Sequence, residues 1–132
     1  MWFNSAKNFY RTFEFNLKEK MYKEAAFQLH QATERFYGAT MLVFTGYKPK
    51  RHNIETLGRR VSGCDPAFLK VFPRATAEQD ENFKLLKKAY IDARYKKEYK
   101  ITKKQLEYLA KRVKLLQRLT KKICKEKIES FA

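Results

Sequence analysis

The chain has 132 residues, a length that fits one domain and not two. A hydrophobic fraction of 44% with 15% aromatics excludes a disordered segment, and four glycines and three prolines leave little material for a hairpin-rich β architecture. Lys+Arg number 30 against 14 Asp+Glu, and the formal net charge of +16 favours anionic partners: nucleic acid, nucleotide phosphates, an acidic protein face or an anionic membrane.

Trp2 to about Lys20 has the pattern of a first helix. Phe3, Ala6, Phe9/Tyr10, Phe13 and Leu17 recur at three and four residues, the spacing of one helical face. Aromatics at that spacing mark core or interface rather than a base-stacking surface. A second helix is expected from Tyr22 to Thr45, burying Ala25/Ala26, Leu29, Ala32/Thr33, Phe36/Tyr37, Thr40 and Phe44. His30 and Glu34 stand four apart on one face of it, a spacing that predicts a hydrogen-bonded pair at the edge of a packing seam. They lack the further ligands that a zinc site needs.

Gly46 and Pro49 end that helix, and a basic loop follows with Lys48, Lys50, Arg51 and His52. Asn53 is a good N-cap for a third helix over Ile54 to about Ser62, with Gly63 as its stop. Asp65-Pro66 starts a short helical turn through Phe68 and Leu69. Thr76 and Gln79 form a capping box for a fourth helix whose apolar set, Phe83, Leu86, Tyr90 and Ala93, carries it to Arg94. A charged and aromatic segment, Arg94-Tyr95-Lys96-Lys97-Glu98-Tyr99, leads to Thr102, the cap of a last helix reaching about Glu129. The fold class expected is all-α: an antiparallel up-down bundle of four long helices plus a short one, in a single domain over residues 1–132.

Cys64 and Cys124 form neither a disulfide framework nor a zinc pattern and are expected as half-buried thiols in a reducing compartment. No apolar run approaches the ~18 residues that span a bilayer, and the N-terminus lacks a signal-peptide pattern, so a cytoplasmic protein without membrane contact is expected. There is no glycine-rich phosphate loop, no nucleophile elbow and no zinc-ligand spacing. What remains is two basic clusters. Lys48, Lys50, Arg51 and His52 precede a helix N-terminus, where free N–H groups favour anions. Arg94, Tyr95, Lys97 and Tyr99 combine an arginine fork with phenol donors, a set suited to phosphate.

The run Ala25-Ala26-Phe27-Gln28-Leu29-His30-Gln31-Ala32-Thr33-Glu34 resembles the second helix of HEPN domains (higher eukaryotes and prokaryotes nucleotide-binding). Lys48-Pro49-Lys50-Arg51-His52-Asn53-Ile54 resembles the basic loop and helix start of that family, and Ala93-Arg94-Tyr95 a third motif. The likeness runs from Trp2-Phe3 to the last helix and is strongest to the HEPN domain that follows a minimal nucleotidyltransferase domain. It implies a five-helix bundle, commonly a homodimer, associated with nucleotide binding or with nucleotidyltransferase partners; the leading reading is a non-catalytic nucleotide- or RNA-binding module that supports a nucleotidyltransferase in the same chain or in trans. The chain is then the C-terminal part of a longer protein. The nucleotide or phosphate would be held by Lys48, Lys50, Arg51, His52, Arg94, Tyr95, Lys97 and Tyr99, supported by His30 and Glu34, with no metal, no cofactor and no catalytic residue.

Some HEPN branches are metal-independent ribonucleases that carry Arg, four to six residues, then His. Here the positions counted from Arg94 hold Tyr99, Lys100 and Ile101. A phenol with a pKa near 10 is a poor base at neutral pH. Ribonuclease activity is therefore the alternative, with His52 or His30 as base and Arg94 on the phosphorane. A plain dimerisation domain docking an acidic partner is the second alternative.

Overall fold

The computed structural model describes every residue except Met1, Lys48, Arg51 and Ala132. Among the described residues there are helices and no strands. They are α1 (Trp2–Lys18), α2 (Tyr22–Thr45), α3 (Ile54–Cys64), a 3₁₀ turn (Pro66–Lys70), α4 (Ala77–Lys88), α5 (Asp92–Tyr95) and α6 (Lys103–Glu129). The chain is the all-α bundle that the periodicity predicts, with α2 as its centre: α2 packs against α1, α3, α4, α5 and α6.

The helix starts follow local chemistry. Asn53 accepts from the N–H groups of Glu55 and Thr56, Asp65 from that of Ala67. Thr76 with Gln79, and Thr102 with Gln105, form reciprocal capping boxes. Gly46 closes α2 at φ 78°, a left-handed turn that glycine adopts without a Cβ clash.

Two boundaries differ from the expectation. α3 runs through Gly63 to Cys64, because Asp65 is extended and Pro66 follows; the proline, and not the glycine, is the stop. The fourth helix does not reach Arg94. It tightens at Ala89, whose N–H meets the Leu86 carbonyl, turns through Tyr90 and Ile91, and resumes as the single turn α5. Nothing in Ala-Tyr-Ile-Asp-Ala opposes a helix locally; the break lets the Tyr90 ring leave α4 and stack on α2 and on His52.

The core contains Phe13, Leu29, Phe36, Ile54, Leu57, Leu86, Leu106, Leu109 and Leu116, each essentially closed to solvent. The aromatics of α1 go where the spacing predicts. Tyr10 and Phe13 are buried, and Phe3 packs edge-on against Phe36. Arg35 lies over the rings of Trp2 and Phe9. Trp2 crosses α2 at Gly38, where a Cβ would come 1.8 Å from the indole. Gly38→Ala is therefore expected to cost about 1–3 kcal/mol by overpacking. Gly63→Ala, whose Cβ would meet open space in a helix, should gain about 0.4–1 kcal/mol. Opposite shifts in urea midpoint would bear this out; two similar shifts would refute the close approach of Trp2.

Candidate functional site

Three segments meet at one side of α2. Its middle turns supply Phe27, His30 and Glu34, the loop before α3 supplies His52, and the α4–α5 turn supplies Tyr90 and Arg94. His52 stacks on Tyr90 with ring centroids 4.2 Å apart and planes at 12°. Arg94 lies over the same ring at 4.9 Å, over Phe27 at 4.5 Å and over Tyr95 at 5.0 Å. The arginine is fixed by its Nε–H, which donates to the Tyr90 carbonyl at 2.8 Å. Residues far apart in sequence, His52 and Arg94, are thus brought together on one tyrosine that sequence reasoning placed in the core. The only hint of its role was an aromatic four residues before an arginine.

Glu34 is the buried carboxyl group of the site, with 7% of its surface exposed. Its carboxylate accepts from His52 Nδ1 at 3.0 and 3.1 Å. It does not hydrogen-bond to His30, whose Nδ1 stands 3.9 Å away; the expected pair of His30 with Glu34 is replaced by Glu34 with His52. The reason is geometric. His30 is fully buried and turns its Nδ1 to Gln31 at 3.3 Å, while the incoming loop delivers His52 to the carboxylate. His30 Nε2 has no hydrogen-bond partner among the described residues. Desolvation pushes the His30 pKa down to about 4; Gln31 and the backbone of His52 oppose this, and the charges of His52 and Arg94 add to it. At neutral pH His30 is therefore an uncharged floor beneath Tyr90, with ring centroids 5.6 Å apart.

A cleft of about 250 Å³ opens beside the stack, lined by His52, Asn53, Lys87, Lys88, Tyr90, Ile91 and Asp92. Its cations are not equivalent. Lys87 is held by Glu55 at 2.7 Å, and Glu55 is also bound by Arg74, which reaches Asp80. These hydrogen bonds, from Lys87 first and then Arg74, draw the Glu55 pKa down to about 2. Asp92 pairs with Lys96 at 3.7 Å. Arg94 has no carboxylate partner among the described residues: Glu34 is taken by His52 and Asp92 by Lys96.

The other expected site residues divide. Tyr95, Lys97 and Lys50 are exposed, and Lys48 and Arg51 lie outside the described residues. Lys97 also accepts at its carbonyl from Lys23 Nζ. Tyr99 is drawn into the core, 5% exposed, and its hydroxyl donates to the Leu85 carbonyl at 2.7 Å. Burial raises its pKa further above the usual phenol range. It ties the segment after Arg94 to α4 and offers no hydroxyl to a ligand. Among the described residues no three His, Cys, Asp or Glu side chains are grouped to hold a metal, and no helix is long and apolar enough to cross a membrane.

The HEPN domain family model matches residues 1–123, which is nearly the whole chain. The chain belongs to the HEPN family. No curated protein matches its sequence closely. Membership connects this HEPN domain to nucleotide- and RNA-related function, in a family whose domains commonly dimerise. The stack of His52, Tyr90 and Arg94 is composed of groups suited to that ligand class. A guanidinium fork offers bidentate donors to phosphate, and aromatic faces accept unstacked bases.

Proposed function

We propose that this HEPN domain is a non-catalytic module that binds RNA or a nucleotide by its phosphate, dimerises, and supports a nucleotidyltransferase in the same chain or in trans. The observation that carries the binding role is an exposed Arg94 without a carboxylate partner among the described residues, pre-oriented over aromatic rings beside His52. Its fork is held in place before a ligand arrives, so little side-chain entropy is lost on binding. Lys88, Lys50 and Lys97 are exposed and supply the diffuse positive field around it. The exposed Phe15 on α1 is the side chain we place at the homodimer contact.

The non-catalytic reading rests on the groups downstream of Arg94. Tyr99 is committed to the Leu85 carbonyl and Ile101 carries no basic group, so neither serves as a base. One observation favours the ribonuclease alternative: Glu34 accepts from His52 Nδ1, which leaves the other ring nitrogen of a neutral imidazole as an oriented acceptor near Arg94. Single-stranded and structured RNA incubated with the protein in chelator separates the two. Binding with the RNA left intact is expected. Cleavage that disappears in His52→Ala would overturn the non-catalytic reading, and absence of binding would overturn both.

A further inference from the structure

A second surface stands apart from the His52–Arg94 stack. Between the C-terminal halves of α2 and α6 runs an open groove of about 500 Å³, with Phe3 of α1 at its side. Ala39 and Val43 form its α2 wall. From α6 come Lys121, Cys124, Lys125 and Ile128, at the i, i+3, i+4 and i+7 positions of one helical stripe, which spans two turns or about 10 Å. Ile128 is 56% exposed at the far end and Phe131 is exposed just beyond it.

We propose that this groove receives an acidic amphipathic helix of another protein. The proposal does not depend on the RNA-binding reading. An apolar channel between two packed helices, two turns long and open along its length, matches the way a partner helix lays an apolar face between helical walls. Charge selects the sign of the partner. The α2 wall is uncharged, and the groove takes its charge from the exposed Lys121 and Lys125 one turn apart, with Glu129 at the end. The lysine stems contribute to the apolar lining while their ammonium groups stay in water, where they meet carboxylates flanking the partner's apolar stripe. A second copy of the chain is the competing occupant; it brings a net charge of +16 to a face that already carries Lys121 and Lys125.

The test uses three synthetic helical peptides and fluorescence anisotropy. One has leucines at i, i+3, i+4 and i+7 flanked by glutamates, the second has lysines for the glutamates, and the third is a scramble of the first. The acidic amphipathic peptide should bind, with the lysine version weaker by about tenfold or more and the scramble silent. Val43→Asp should abolish binding while leaving RNA affinity unchanged. The double variant Lys121→Glu with Lys125→Glu alters only exposed side chains, keeps the test valid if Val43→Asp does not fold, and should shift preference to the lysine peptide. Equal binding of acidic and basic peptides, binding indifferent to both variants, or no binding at all would overturn the proposal. So would a homodimer in sedimentation that Val43→Asp dissociates, since the occupant would then be a second copy.

Discussion

Lowering the pH from 7 to 4 is expected to remove about 3 kcal/mol of stability through His30 alone. The folded-state pKa of His30 is held at about 4, below the ordinary 6.5 of the unfolded chain, because its full burial penalises the imidazolium. Between those values the unfolded chain binds a proton that the folded one refuses. The stabilisation is thus present above pH 6.5 and is lost as pH falls towards 4. A leucine of similar size cannot titrate, and it also removes the buried Nε2 that lacks a partner. Urea unfolding of wild type and His30→Leu across this range isolates the residue, since other groups titrate in both. The wild-type curve should fall relative to the variant by about 3 kcal/mol. Parallel curves would show that His30 finds a partner for its proton and is not the neutral floor of the Tyr90 stack.

The second large effect is on binding. Arg94→Ala should weaken RNA or nucleotide affinity by on the order of 10- to 100-fold, the size of one charged hydrogen bond of roughly 1.5–3 kcal/mol. The log–log salt slope should fall by about one unit, the signature of one lost phosphate contact. Stability should change little. Arg94 is exposed, its hydrogen bond to the Tyr90 carbonyl is local, and exposed cation–π contacts are worth about 0.5–1 kcal/mol. Arg94→Lys keeps the charge without the fork and should recover only part of the affinity. Titration of a short RNA against the three proteins, with thermal melts alongside, decides the matter. Unchanged affinity with a lowered Tm would make Arg94 a structural clamp on Tyr90 and Phe27 and nothing more.

The two effects are coupled through Tyr90. Its ring stacks on His52, lies under Arg94 and rests near His30, so a neutral His30 adds no charge beneath the arginine. The buried Glu34 fixes His52 in that stack by accepting from its Nδ1.

What the sequence determined by itself is local or periodic. The bounds of α2 and α6, the Asn53, Asp65, Thr76 and Thr102 caps, and the buried stripe from Leu106 to Ile123 all follow from three-four spacing and from side chains that satisfy nearby N–H groups. Such signals act within a few residues, so they survive in a one-dimensional reading. The family likeness also points to His52 and Arg94. Only the tertiary structure decided which partner each takes. Glu34 prefers His52, eighteen residues on, to His30 on its own face, because a buried carboxylate goes to the donor that reaches it and His30 is already turned to Gln31. Tyr99, a phenol in a basic segment, looked like a ligand and is an anchor, since its hydroxyl finds the Leu85 carbonyl inside the bundle. The break between α4 and α5 carries no local signal at all. It goes with the stacking of Tyr90 on His52 and Phe27, and packing of that kind is fixed by contacts between segments that spacing along the chain does not encode.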